Sequence, residues 1–586
     1  MFKLFKNFSK KDILLIVISI SLIVLQVFLD LKLPDYMSAI TRLIQTDGSK
    51  MSDIIEKGLY MVGCAFGSLI TAIVVGYFAS RLSASFSRTI RKKLFEKVES
   101  FSTSEIKKFK TSSLITRTTN DVTQVEMLIS MGLQMMIKAP IMAVWAILKI
   151  VDKSIEWSIL TGVCVVVLLL VVGILMVIVI PKFKLIQKLI DNINGITREN
   201  LTGIRVIRAF NAEKFQKDRF ENVNDELTKI QLFNQRAFAI LFPMITFSMH
   251  ALTLGIYFIG ALLIEKAMMY DKILLFSNMV VFTSYGIQVI MSFLMLALIF
   301  MMAPRSEVSA NRINEVLESE ISIKDGNYNK DTKEKGTVEF KNVSFKYPDA
   351  DEYLLKNISF KVNNGETIAF IGSTGSGKSS LINLVPRFYD ATDGEILVDG
   401  INVKDYTLEA LHNKIGYVPQ KAVMFTKTVM ENVSYGDNGK KELTEKEIKK
   451  AIEIAQGKDF VEKMEDQYNS NIARGGTNIS GGQKQRLAIA RAIARKPEIY
   501  IFDDSFSALD YKTDKVLRTE LKKNTKNATS MIVAQRIGTI MNADKIVVLE
   551  KGECVGIGTH KELLKTCEVY KEIALSQLTK EELENA

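Results

Sequence analysis

The chain has 586 residues, 48% of them hydrophobic and 24% charged, with 76 Lys and Arg against 65 Asp and Glu for a net charge of +11. That apolar content excludes a disordered or collagen-like protein, and the length predicts several domains or two large ones. Cys64, Cys164, Cys554 and Cys567 lie far apart without a CxxC pair, so neither a zinc site nor a disulfide framework is expected.

Met1–Lys11 sets Phe2, Leu4, Phe5 and Phe8 among lysines, which predicts an amphipathic helix on a membrane surface. No small-residue cleavage site follows the first apolar run, so a removable signal peptide is not expected. Crossing ~30 Å of hydrocarbon takes ~20 apolar residues in a helix, because lipid offers no partner to an exposed peptide group. Ile13–Leu29, Gly58–Ser80, Ser158–Ile180, Ala237–Ile264 and Ile273–Pro304 carry no Asp, Glu, Lys or Arg. A sixth run, Leu133–Val151, is interrupted by Lys138 and Lys149, which are expected to reach the interface on their long stems. Six spans are therefore predicted.

Arg81–Met136 carries ten Lys/Arg and Lys182–Arg236 eleven, against four in Lys32–Lys57, one in Asp152–Trp157 and two in Glu265–Lys272. The positive-inside rule then puts the two long basic loops and both termini in the cytoplasm. The positive charge serves membrane topology, and no nucleic-acid partner is expected. Apolar residues recur at helical spacing in both loops (Leu94, Val98, Phe101; Leu185, Leu189, Ile193), so the membrane helices are expected to continue inward and turn back there. Within the spans, His250 reads first as a packing histidine, with a porphyrin or metal contact left open. Met244, Met249, Met291, Met295, Met301 and Met302 suit either an adaptable cavity or plain packing, and Ser284, Tyr285 and Gln288 are candidates to line a pathway.

From about residue 337 the chain reads as a soluble α/β domain. The apolar strand Thr367–Gly372 runs into Gly372, Ser373, Thr374, Gly375, Ser376, Gly377, Lys378 and Ser379, followed by the helical Ser380–Val385. This is GxxxxGK[ST] in its strand–loop–helix setting: backbone N–H groups cradle phosphates, Lys378 neutralises β/γ oxygens and Ser379 can ligate Mg²⁺. Ile499–Asp503 is a second strand ending in the carboxylates Asp503 and Asp504, and Asp503 stands where it can hold Mg²⁺ through water. Ser480, Gly481, Gly482 and Gln483 open the helical Lys484–Arg495, a further phosphate-binding helix start.

With these elements in this order the chain resembles an ABC transporter along essentially its whole length, in particular a half-transporter of the exporter type. The resemblance implies an α-helical six-span transmembrane domain of the type I exporter fold over residues 1–310, a linker over 311–336, and an α/β P-loop NTPase nucleotide-binding domain over 337–586. It also implies ATP and Mg²⁺ as ligands. Tyr347 would stack on adenine, Ser380 follows the phosphate loop, and Gln420 would contact Mg²⁺ and sense the membrane domain. The signature Ser480–Gln483 would clasp the γ-phosphate of ATP held by a facing subunit, and Asp510 closes the D-loop Ser507–Asp510. Thr119–Val122 and Gly203–Glu213 look like the family's two cytoplasmic coupling regions, and Asn311–Leu317 like its exit helix. His412 and His560 match ordinary positions without a role, and Ala473–Thr477 lacks a glutamate often present in exporters.

Two positions depart from the family pattern. Asp504 stands where the family's working sites carry a glutamate general base, and Gln535 where they carry the switch histidine. Aspartate is one methylene shorter, and a ~1 Å displacement of a catalytic group can cost ~10²-fold. Glutamine can hydrogen-bond a phosphate but cannot shuttle a proton. Their joint loss beside an intact signature points to a degenerate ATP site within a heterodimer, the partner being a second half-transporter. The expected cargo is amphipathic and the location a plasma membrane, with lipid around the spans. A homodimeric exporter, an importer of metal chelates on the same frame, and an ATP sensor without transport remain alternatives.

Overall fold

A computed structural model describes residues 2–46, 48–151, 154–437, 439 and 441–578. The chain divides into two compact units, Met1–Glu99 with Thr111–Ser319, and Ser100–Lys110 with Glu320–Ala586.

In the first unit run α1 (Phe2–Phe5), α2 (Lys10–Gln45) and α3 (Met51–Glu99); α4 (Thr103–Phe109) belongs to the second. There follow α5 (Thr111–Thr116), α6 (Val122–Val151), α7 (Ile155–Ala209), α8 (Glu213–Lys266) and α9 (Met269–Glu318). Among the described residues, six helical stretches are long and apolar enough to cross a membrane, the third being Thr111–Val151, which contains a π-helical turn at Arg117–Asp121. At ~1.5 Å per residue α7 extends ~80 Å, well beyond any hydrocarbon core. The helices therefore continue past the membrane, as the loop periodicity predicts. The turn between α7 and α8 leaves Phe210 and Phe215 exposed, with Asn211 at φ 50°.

The amphipathic N-terminal helix is reduced to the single turn α1. Ser9 and Asp12 form a reciprocal cap that starts α2, so the helical register breaks between them. Leu4 is buried, and the Phe8 ring packs 4.8 Å from that of Phe86 on α3.

Lys138 and Lys149 do not simply extend to an interface; each is paired with an acid on α2. Lys138 Nζ lies 3.0 Å from Asp30 Oδ2, and the Ser68 hydroxyl of α3 donates to Asp30. Lys149 Nζ lies 2.9 Å from Asp35 Oδ2, while the Tyr285 hydroxyl of α9 donates to Asp35 Oδ1 at 2.7 Å and to the Leu31 carbonyl at 2.9 Å. Pairing is what makes such charges tolerable inside an apolar bundle. Around them Ile23, Val27, Leu31, Val75, Trp157 and Phe282 form the bundle's core. His250 is exposed on α8 rather than packed, because Ser248 and Leu252 take the helix's buried face. Met244, Met249, Met295 and Met302 are half-buried and Met291 is exposed; the Met301 side chain lies outside the described residues.

The second unit holds two sheets. One is antiparallel in the order β2-β1-β4-β5, from β1 (Val338–Phe345), β2 (Leu355–Val362), β4 (Asp393–Val398) and β5 (Ile401–Asn402). The other has the order β10-β9-β3-β8-β7-β6, from β3 (Thr367–Gly372), β6 (Ile415–Val418), β7 (Ile499–Asp503), β8 (Thr529–Val533), β9 (Lys545–Glu550) and β10 (Glu553–Gly558). All its pairings are parallel except β9 with β10. Ile368, Phe370, Ile499 and Ile501 enter one core; Ala369, Ile371, Tyr500 and Phe502 enter the other. Burial on both faces explains why these strands read as continuous apolar runs. It also leaves ligand chemistry to the carboxyl ends of the parallel strands, where loops follow.

The ion pairing of α2 with α6 gives a direct expectation. The K138M chain, left with an uncompensated Asp30, melts at a lower temperature in lipid nanodiscs than the doubly neutral D30N/K138M chain. Equal melting temperatures for the two would contradict the pairing.

Candidate functional site

β3 leads into the loop Ser373–Gly377, and α10 (Lys378–Asn383) begins directly after it. The turn needs glycine at Gly377, which sits at φ 94°, and an added Cβ there would lie 2.6 Å from Leu355 Cδ2. Ser376 is buried beneath the loop, whereas Ser373, Thr374 and Gly375 are exposed. Lys378 Nζ donates to the Gly372 and Ser373 carbonyls, each at 2.8 Å, and to Ser376 Oγ at 3.3 Å, so the ammonium stands over the loop. Burial pulls its pKa below the usual lysine value, against the attraction of Asp504 and Asp503.

The carboxylates arrive from the end of β7, one strand removed from β3 across β8. Ser379 Oγ donates to Asp503 Oδ1 at 2.7 Å. Burial holds the Asp503 carboxyl above the ordinary aspartate range, opposed by the Ser379 hydrogen bond. A hydroxyl beside a carboxylate is a hard-oxygen donor pair of the kind Mg²⁺ prefers, so these residues fit that ion.

Asp504 is buried and carries φ 45°, a left-handed conformation that aspartate tolerates better than most residues. Its N–H donates to the Val533 carbonyl of β8 at 3.0 Å, and its own carbonyl accepts from Ser507 Oγ at 2.8 Å. Gln535 Nε2, just past the end of β8, donates to Asp504 Oδ2 at 2.8 Å. Gln420 Nε2, from the segment after β6, approaches the same oxygen at 3.5 Å. Burial raises the Asp504 pKa as well, with the Gln420 amide and the charges of Lys378 and Arg536 acting the other way.

Tyr347 completes this group. Its hydroxyl shares a 2.8 Å hydrogen bond with Ser380 Oγ on α10, and its ring meets Phe345 and Tyr389 edge-on at 4.9 and 5.2 Å. Ser480, Gly481, Gly482 and Gln483 form an exposed or half-exposed start to the helix Gly481–Ala494. The Ser480 N–H donates to Gln483 Oε1 at 2.8 Å, and Ser480 Oγ accepts from the Gln483 N–H at 3.3 Å. Gln485 ties this helix to the Gln420 segment by donating to the Pro419 carbonyl at 3.2 Å. Asp510 caps the helix Tyr511–Asn524, accepting from the Thr513 N–H at 2.9 Å. Thus Tyr347, Lys378, Ser379, Gln420, Asp503, Asp504 and Gln535 converge. Among the described residues, Ser480–Gln483 and Asp510 share no hydrogen bond with them.

One neighbour is absent from the motif reading. Thr119–Val122, read as the first coupling region, lies in the membrane-spanning unit, where the buried Asp121 pairs with Arg312 at 3.2 Å. The segment that packs into the nucleotide-binding unit is Ser100–Lys110. The Phe101 and Phe109 rings stack there at 5.6 Å, and Glu105 accepts from the N–H groups of Ser102 at 2.8 Å and Ser322 at 3.2 Å. Its sequence signal is the Ser102–Glu105 capping box.

Comparison with known proteins agrees with this geometry. Residues 355–507 match the ABC transporter family, and residues 16–293 match the ABC transporter transmembrane region. The chain is 37% identical over 551 residues to the uncharacterized ABC transporter ATP-binding protein Rv1273c of Mycobacterium tuberculosis, covering 92% of this chain and 93% of that one. It is 31% identical over 540 residues to a multidrug resistance ABC transporter ATP-binding and permease protein of Lactococcus lactis, covering 91% and 88%. A solved structure of a bacterial Atm1-family ABC exporter with ATP bound superposes with a TM-score of 0.78 at 21% identity, covering 96% of this chain and 98% of that one. The exporter-type fold is therefore shared.

A raised folded-state carboxyl pKa means that ionising Asp504 opposes folding at neutral pH, a cost that disappears as pH falls toward the unfolded aspartate value near ~4. The D504N chain keeps an oxygen for Gln535 and loses the charge. In nucleotide-free buffer with EDTA it melts above wild type at pH 7.5, with the gap narrowing as pH is lowered. A lower melting temperature at pH 7.5 would contradict the burial argument.

Proposed function

The chain belongs to the ABC transporter family, as a multi-pass membrane protein with a transmembrane region and an ATP-binding domain, and we propose that it is one half of an ATP-driven exporter whose own site holds ATP without turning it over quickly. The observation that carries this reading is the 2.8 Å hydrogen bond from the Gln535 amide to Asp504. At the two positions where a base and a proton-competent switch are needed, the chain has a short carboxylate tied to a group that cannot transfer protons.

In this reading adenine stacks on Tyr347, while Lys378 and the N–H groups around Gly375–Lys378 bind the phosphates. Ser379, Asp503 and Gln420 hold Mg²⁺, which when bound supplies charge stabilisation to the phosphates. Asp504 would have to orient water from a shorter side chain, and Gln535 would contact the γ-phosphate as a neutral donor. Ser480–Gln483, exposed at a helix start, complete a second site on a partner half-transporter that contributes a glutamate and a histidine. A heterodimer follows. Closure on ATP stabilises one conformational state over the other, and hydrolysis at the partner's site resets the pair. The basic loops support cytoplasmic termini in a plasma membrane. Half-buried methionines on α8 and α9, and the name of the Lactococcus lactis relative, support amphipathic cargo.

The test is ATP turnover. The purified chain alone hydrolyses ATP on the order of 10²-fold more slowly than its complex with the partner half-transporter. In that complex S480A nearly abolishes turnover, whereas D504E raises it only modestly. Brisk hydrolysis by the chain alone, or an S480A complex of normal activity, would overturn the reading.

A further inference from the structure

The α4 segment brings an unexpected cation to the aromatic platform of the candidate site. Within the nucleotide-binding unit, Lys107 Nζ lies 4.8 Å from the centroid of the Tyr347 ring and 5.3 Å from that of Tyr389. The position is built rather than incidental. Ser102 and Glu105 cap α4 reciprocally, the Ser322 N–H donates to Glu105, and the stacked Phe101 and Phe109 rings are both buried. Lys107 thereby points from an anchored turn of helix.

Tyr347 has little other room for a ligand. Phe345 and Tyr389 contact its ring edge-on, its hydroxyl is tied to Ser380, and Tyr389 itself is buried. The ring is half-buried, and the Lys107 ammonium stands over one of its faces. A lysine ammonium is protonated at neutral pH, so Lys107 carries its charge over the two rings. A cation over a ring and a purine stacked on that ring compete for the same π surface.

We propose that Lys107 is a latch on the adenine platform: its ammonium occupies the Tyr347 face, ATP binding displaces it, and nucleotide occupancy is thereby felt by the α4 segment. This rests on the reading that Tyr347 receives the base. No motif of the nucleotide site contains Lys107, and α4 is joined through the chain to α3 and α5, so its release passes a signal into the segment between two membrane-spanning helices. The consequence is a sign opposite to that of a phosphate-binding lysine. Removing Lys107 strengthens ATP binding.

The experiment measures MgATP affinity of the full-length chain in nanodiscs by calorimetry, with Mg-tripolyphosphate as a probe lacking a base. K107M tightens MgATP binding about two- to fivefold, the value of one exposed cation–π contact, and K107R stays near wild type. Tripolyphosphate affinity does not rise in K107M, and in a Y347A background K107M brings no tightening. Unchanged or weaker MgATP binding by K107M overturns the latch, as does equal tightening for tripolyphosphate, which would assign the effect to general electrostatics. A wild-type chain that binds tripolyphosphate and MgATP equally contradicts the adenine reading of Tyr347 itself, a distinct failure.

Discussion

The hydrogen bond between the Gln535 amide and the Asp504 carboxylate joins the ends of two adjacent strands, β7 and β8, and the chemistry of the site depends on it. Asp504 is fixed from three directions. Its N–H is bound to the Val533 carbonyl, its carbonyl to Ser507, and its carboxylate to Gln535. A base has to present a free oxygen at the right distance from a water, and here the side chain is shorter in reach and its Oδ2 is already engaged. Replacing a histidine by glutamine also removes the only group at that position able to change charge near neutral pH. In the proposed function the two departures act as a unit that separates nucleotide binding from nucleotide cleavage.

The binding apparatus itself does not involve these two positions. The parallel sheet places Lys378, Asp503 and Gln420 beyond the carboxyl ends of β3, β7 and β6, and Gly377 permits the turn of the loop between β3 and Lys378. None of this depends on whether Asp504 catalyses. As proposed, a site of this kind would stabilise the closed pair of nucleotide-binding domains for as long as its ATP persists, with the exposed Ser480–Gln483 helix start serving a partner's nucleotide. Under the proposed function, such an asymmetry would give a physical reason for two different chains in one transporter, one site holding while the other cycles.

The phosphate loop, the carboxylate strand end and the signature were legible because backbone chemistry fixes their residue types and spacing over a few positions. Charge-free runs gave five of the six spans for a comparable reason, since lipid forbids unpaired peptide groups. What escaped involves residues far apart in sequence. Lys138 and Lys149 were legible as intramembrane charges, but their partners Asp30 and Asp35 lie more than a hundred positions earlier, and no local pattern couples them. The N-terminal amphipathic pattern was real, yet the Ser9 cap divided it. Lys107 sits in a basic loop that served only to orient the membrane domain, and nothing in its neighbourhood marks it as a companion of Tyr347.

The central claim is that ATP persists uncleaved in the site of this chain while the complex as a whole works. Photo-crosslinking with 8-azido-ATP labelled in either the α- or the γ-phosphate, after prolonged turnover of the complex with its partner half-transporter, reads this directly. The account predicts that this chain carries both labels in similar amount. Retention of the α-label with loss of the γ-label would mean that Asp504 supports hydrolysis, and would contradict it.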